Sequence, residues 1–276
     1  MNLLALLKYQ ARRYLLRKRW LLAIPLGLLT GYWASFIIIK SPFAGASNAL
    51  EAYIWAFGKP EIVYFLFSLL WIYLVSDVSL GDSYDSFVLL RMGSRSDWWL
   101  GKVLFILEAS LAYILLICAS FALPLLGKYP FSNQWSAAAL ADFGISLGYS
   151  INNGTPLEAC LHTLLLLLTG WFAIGLGILV IELLSHRNWP GFLVGVVLIV
   201  CSKLGSVSGG PIGGSGIESF FLMQNHLEFT PLWAPMRVIP ESYSWLFWFI
   251  WIAICLAVSR VIYNRRNFYT VHHNKE

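Results

Sequence analysis

The chain has 276 residues, 58% of them hydrophobic and 12% charged, with 13 Trp, 13 Tyr and 18 Phe and a formal net charge of +5. Ordinary soluble domains are about 45–50% apolar and about 25% charged, so this composition excludes a soluble globular domain and predicts a polytopic membrane protein with aromatic belts. The positive balance does not call for nucleic acid, because most of it flanks apolar segments, where it orients a chain in the bilayer.

Residues 1–20 hold six basic residues, Lys8, Arg12, Arg13, Arg17, Lys18 and Arg19, and no acid. Leu3, Leu7, Ala11 and Tyr14 recur at helical spacing, which predicts an interfacial amphipathic helix. A cleaved signal peptide is not expected, since the apolar run Leu21–Ile39 exceeds the usual core of about 7–15 residues. That run is the first predicted span, because a helix needs about 20 apolar residues to cross the hydrocarbon. Pro25 lies near its start, where a missing N–H matters least.

Residues 40–61 read as a loop, and 60–80 as a second span with Asp77 at the polar interface. The later spans are predicted at 100–126, 157–184, 190–205 and 242–263, in a single transmembrane domain covering 1–276. With both termini inside, fourteen of the 19 Lys and Arg fall in inner regions. Four, Lys40, Lys59, Lys128 and Arg237, fall in outer loops, and Lys203 sits at the outer end of the fifth span. Positive charge is enriched on the side that is not translocated. The fold class expected is therefore all-α integral membrane, with six transmembrane helices and both termini cytoplasmic in a cell membrane.

Residues 205–241 are glycine- and serine-rich at first, then apolar at Phe220–Met223. Such a run is too short to span and reads as a re-entrant or interfacial segment before the last helix. Its glycines lack the following Lys-Ser or Lys-Thr of a phosphate cradle. Gly191 and Gly195 make a GxxxG that could let two helices approach closely. Asn153-Gly-Thr155 precedes Pro156 and reads as a turn.

Cys118, Cys160, Cys201 and Cys255 all lie in or beside apolar segments without CxxC or Cys/His spacing. They read as small buried apolar side chains rather than a disulfide or metal framework. Glu108 sits two turns into the third span, where a carboxylate must face protein or water, and it is the candidate for a translocation pathway. His162 reads as a hydrogen-bonded structural histidine, and Glu158 and Lys203 as residues reaching the outer boundary. No HExxH, GxSxG, Cys/His pair or acidic metal cluster is present in the sequence.

The most informative stretch is Ser76–Lys102, SDVSLGDSYDSFVLLRMGSRSDWWLGK. Polar and charged residues surround an apolar run, Phe87–Leu90, and Trp98 and Trp99 mark re-entry into lipid. This pattern predicts a short amphipathic helix at a membrane surface, able to touch a soluble partner.

With the basic N-terminus, the order of spans and the segment before the last one, this loop resembles that of the ABC-2 type permease family, the membrane subunits of ABC exporters. Gly81, Asp82, Leu89, Leu90, Ser94, Arg95, Gly101 and Lys102 match the family's loop pattern, while its usual Pro before Ser-Arg is Gly93 here. The likeness covers the whole chain as architecture and this loop alone as motif. It implies a coupling helix at about 82–92 that docks on a separate ABC ATPase subunit. Asp82, Asp85, Arg91 and Arg95 would make the polar contacts, and Phe87 and Leu90 would fill a groove. It implies a second permease subunit, identical or not. It places ATP and Mg on the partner and no cofactor or metal on this chain, which has no Walker A sequence and is not expected to be an enzyme. Two alternatives stay open: a membrane-embedded enzyme, and a non-transporting anchor for a partner protein.

Overall fold

The computed structural model describes residues 3–40, 48–76, 94–136, 154–185, 189–208, 223–227 and 241–265. Among these residues there is no β-strand. Helix α1 is Leu3–Gln10, followed by a π-helical turn, Ala11–Leu15, and a 3-10 turn, Lys18–Leu22. Then come α2 (Ala23–Lys40), α3 (Ala49–Phe57) and α4 (Pro60–Ile62), a π-helical stretch (Val63–Ser68), and α5 (Leu69–Val75). They are followed by α6 (Arg95–Ala122), α7 (Pro156–Ser185), α8 (Trp189–Ser208), α9 (Gln224–Leu227) and α10 (Glu241–Arg265). Three of these, α6, α7 and α10, are long and apolar enough to cross a membrane. At 1.5 Å per residue, the 28 residues of α6 run about 42 Å, longer than the hydrocarbon core.

Helix α6 is the post against which the N-terminal chain is laid. Leu6 packs at Gly101, Tyr14 at Phe105 and Trp20 at Tyr113. Farther on, Gly27 meets Ile117 and Ser120, Gly31 meets Phe121, and the Ser35 carbonyl accepts a bond from the Tyr129 hydroxyl at 3.0 Å. Residues 3–35 therefore follow α6 in parallel from its start to beyond its end. The single interfacial helix predicted over 1–20 is instead broken into three pieces. Its buried stripe is Leu6, Gln10 and Tyr14, not Leu3, Leu7 and Ala11. Tyr14 meets Phe105 from within the π-helical turn and Trp20 meets Tyr113 from the 3-10 turn, so the broken segment stays against α6.

The middle of the bundle is an aromatic column. Trp20 meets Trp71 and Tyr113; Tyr113 meets Trp171; Trp171 meets Phe67; and Phe67 meets Phe57, which touches Phe121 and Tyr53. Every polar tip between Trp71 and Tyr53 has a partner. Trp71 Nε1 donates to the Trp171 carbonyl at 2.9 Å, and Trp171 Nε1 to Ser68 Oγ at 3.0 Å. The Tyr113 and Tyr53 hydroxyls donate to the carbonyls of Phe67 and Cys118, each at 2.6 Å. The Phe67 carbonyl and Ser68 hydroxyl both belong to the π-helical stretch, whose wider turn presents them to neighbouring helices.

Three corrections to the predicted boundaries have local causes. Residues 40–61 are not a plain loop, because they contain α3, whose N-terminus carries a capping box. Asn48 Oδ1 accepts from Leu50 N at 3.0 Å, and Glu51 Oε2 accepts from Asn48 N at 3.2 Å. Helix α6 begins at Arg95, five residues before the predicted span, because Ser94 Oγ caps the N–H of Asp97 at 3.3 Å. It stops at Ala122 rather than Leu126, and the turn that follows contains Gly127, whose φ of 74° suits glycine.

The α3 cap also ties the loop after α6 to the start of α7. Asn48 Nδ2 donates to the Ser132 and Gln134 carbonyls, Trp135 Nε1 donates to the Gly154 carbonyl at 2.8 Å, and Asn133 Oδ1 accepts from Leu157 N at 3.1 Å. Glu51 takes both the N–H and the hydroxyl of Ser136 at 2.7 Å. Burial pushes the Glu51 carboxyl above its ordinary value, against the lowering effect of the bonds from Ser136 and Asn48. A raised carboxyl in the folded state contributes stability that is fully present below the unfolded value of 4.5 and is lost as pH rises through the folded one. In thermal unfolding from pH 7 down to 4, the wild type is expected to gain Tm on Glu51→Gln as pH falls. A constant gap between the two curves would contradict this.

Candidate functional site

The candidate site is the end of the bundle from which the 77–93 segment leaves and returns. Asp82, Asp85, Phe87, Leu90 and Arg91 lie outside the described residues, as does the coupling helix predicted over 82–92. What is described is its base: α1, the first turns of α6 and the last turns of α10.

Arg95, the one predicted coupling residue among those described, is half-buried, and its Nη1 donates to the Asn264 carbonyl at 3.2 Å. It thereby satisfies a carbonyl in the last turn of α10, a place where cationic side chains are favoured. One turn on, Trp99 Nε1 donates to Ser259 Oγ at 2.9 Å, and the Arg260 guanidinium lies 5.7 Å from the Trp99 ring. Gly101 gives α1 its close approach, for a Cβ there would run into the Leu6 side chain. These contacts join three chain segments at the root of the loop.

Beside this joint stands a cluster of cations on aromatic faces. Lys102 is fully buried, its Nζ 5.0 Å from the Trp98 ring and 5.3 Å from the Tyr14 ring. Around the same Tyr14 ring the guanidinium carbons of Arg17 and Arg13 lie at 5.0 and 5.7 Å. Arg13 also bonds the Tyr9 hydroxyl, and Arg17 Nε donates to the Arg13 carbonyl at 3.0 Å. A cation over an aromatic face is worth about 0.5–2 kcal/mol, the larger values applying where water is excluded, as at Lys102. Gln10 is buried on the same face of the N-terminal segment as Leu6 and Tyr14.

The sequence reading assigned Gly101 and Lys102 through the loop pattern and missed their partners. From the sequence, Tyr14 reads as part of an amphipathic stripe and Trp98 as part of an interfacial belt. Nothing in one sequence says that both rings close over the same lysine. Glu108 lies six residues farther along α6, half-buried, with no hydrogen bond to a described residue, and the structure does not bring it to this cluster. His162 is exposed on α7. Glu158 caps α7, accepting from Thr155 N at 2.9 Å while Thr155 Oγ1 accepts from Glu158 N at 3.4 Å. Cys160 and Cys255 are buried and Cys118 partly so, but Cys201 is exposed; all four are free thiols. Among the described residues no three His, Cys, Asp or Glu side chains gather as a metal site.

Fold and site together define an all-α membrane protein, with three membrane-length helices and a basic, aromatic end at the root of a polar loop. No protein-family model matches the chain, and no curated protein matches it either.

Proposed function

We propose that the chain is the permease subunit of an ABC-type exporter, six spans in a cell membrane with both termini cytoplasmic, driven by an ATPase subunit that docks on the 76–102 loop. The observation that carries this is the joint at the loop's root. Leu6 on Gly101, Arg95 on the Asn264 carbonyl and Trp99 on Ser259 bind α1, α6 and α10 into one unit. A push on a segment rooted there is delivered to two long helices at once instead of being absorbed by a slack connector. The aromatic column fills the interior of the single chain, so a pathway would run between two permease subunits. Helix α10 is the least enclosed of the three long helices and offers a surface for that pairing. Glu108, half-buried on α6, is the candidate pathway residue.

In this mechanism ATP and Mg bind on the partner. Closure of the ATPase dimer moves residues 82–92, and Asp82, Asp85, Phe87, Leu90, Arg91 and Arg95 form the contact. The double reversal Arg91→Glu, Arg95→Glu is expected to lower transport-coupled ATPase activity about tenfold or more, the loss of charge pairs across a contact. Membrane insertion should be kept. Full transport by the double variant would overturn the docking role. Mild detergent purification separates the class from its rivals. A stoichiometric co-purifying protein with Walker A and ABC signature sequences supports it, whereas a chain that comes out alone, as one copy, returns the choice to an enzyme or an anchor.

A further inference from the structure

Between α7, α8 and α10 lies a cavity of about 320 Å³ whose walls include Gly177, Ile178, Val194, Leu198, Trp251 and Val258. No wall residue offers a hydrogen bond inward. Trp251 Nε1 is spent on the Ala173 carbonyl at 3.2 Å, and the Cys255 thiol is only a weak donor. An occupant with charge or hydrogen-bonding groups would leave them unsatisfied in this space. The cavity opens sideways, for its wall residues Val194, Leu198 and Val258 are also 37–39% exposed on the flank of the bundle. On a flank between two membrane-length helices, what lies outside is hydrocarbon.

The third feature is charge. Trp251 and Val258 line the cavity seven residues apart on α10, and Arg265 follows at the next interval of seven. Seven residues are nearly two turns, so all three share one stripe, and Arg265, exposed, ends it. It stands about 10 Å beyond Val258 along the helix axis, a gap that a glycerol ester and its first methylenes can bridge. Basic side chains at such a place select anionic headgroups.

We propose that this cavity is a binding site for one acyl chain of an anionic membrane phospholipid, with the lipid phosphate at Arg265. At about 30 Å³ per small group, the cavity holds roughly ten methylenes. The site is independent of the coupling mechanism, and a chain that anchors rather than transports would carry it equally.

The test is native mass spectrometry of the full chain, with whatever partners it retains, after exchange with equimolar dioleoyl phosphatidylglycerol and phosphatidylcholine. The expected result is one phosphatidylglycerol retained per chain in preference to phosphatidylcholine. Leu198→Trp fills the mouth from its exposed side. Gly177→Leu fills the depth, where a Cβ would stand 3.6 Å from the Trp251 ring, an ordinary contact. Each should lower retention about tenfold. Leu115→Trp, an equal gain of bulk on an exposed part of α6, should leave it unchanged. Arg265→Glu should abolish the preference for phosphatidylglycerol while an acyl chain is still held. Equal retention by the filled variants and the wild type would overturn the site. Equal preference in Arg265→Glu and wild type would overturn the phosphate's place. A wild-type dimer that the filled variants dissociate without lipid loss would assign the cavity to a second copy instead.

Discussion

Trp171→Ala is expected to be the most damaging single truncation in the bundle. Trp171 is fully buried, and three kinds of contact converge on it. Its ring lies 5.0 Å from Tyr113 and 6.5 Å from Phe67 by centroids; its Nε1 donates to Ser68; and its carbonyl takes the Trp71 indole. Removing a buried Trp from a soluble core costs about 3–5 kcal/mol, a sum of lost transfer energy and an unfilled cavity. In a bilayer the transfer part shrinks, since lipid tails are as apolar as the core. The packing part stays, because the atoms facing the void lose their contacts whatever the solvent. We therefore expect about 3 kcal/mol, read as a loss of Tm in detergent or a lower denaturant midpoint. Trp171→Phe keeps one aromatic ring in the column but loses the Ser68 bond and the contacts of the indole's second ring, so its cost should exceed the roughly 0.6 kcal/mol of one interhelical hydrogen bond and stay well below that of Trp171→Ala. Equal losses for the two variants, or none, would contradict the view that the column holds through packing.

The aromatic column also shows where sequence reading stops. Composition and runs of apolar residues announce helices, because a period of 3.6 and a length near 20 are properties of one segment. The helices α7, α8 and α10 accordingly begin and end within a few residues of their predicted limits. Which aromatic meets which is a property of several segments at once. Trp20, Trp71, Tyr113 and Trp171 are spread over 152 positions of the chain, and nothing local in the sequence links them. The caps are a different matter. Ser94 with Asp97, Asn48 with Glu51 and Thr155 with Glu158 are all polar pairs three apart, and such pairs are legible signals of helix starts. The polar residues around them read as loops, which masks the signal. At the candidate site the two tryptophans and the Gly-Lys pair stood out in the sequence, while the stripe of Leu6, Gln10 and Tyr14 that covers them did not. That stripe keeps four-residue spacing, but polar Gln10 stands in its middle, and Leu3, Leu7 and Ala11 offer a more apolar stripe at the same spacing.

The GxxxG noted at Gly191 and Gly195 has a less conspicuous counterpart in Gly27 and Gly31, and the second large effect is expected there. A Cβ on Gly31 would fall on the carbonyl oxygen of Phe121, and one on Gly27 would stand 2.9 Å from the carbonyl oxygen of Ile117. At Gly27 the Ser120 hydroxyl stands closer still, but at Gly31 every obstacle is backbone of a helix whose own hydrogen bonds hold it in place. Small residues at four-residue spacing let α2 and α6 touch backbone to backbone, a mode that suits lipid, where no hydrophobic force drives helices together. Gly31→Leu must therefore push α2 off α6 along the whole contact. Over-packing costs about 1–3 kcal/mol where side chains can give way, and the upper end or more is expected here. Gly101 supplies the contrast, since the atom in the way there is the end of the Leu6 side chain, which can turn aside. The expected order of Tm loss is Gly31→Leu first and Gly101→Ala well behind it. Gly31→Leu should also expose the α2–α6 seam, read as faster labelling of a cysteine placed at Ala34, which is buried in the folded chain. If Gly101→Ala proved the more damaging, the parallel seam of α2 and α6 would not be what holds the N-terminal segment to the bundle. Its anchorage would then lie at the basic end, around Leu6 and Tyr14.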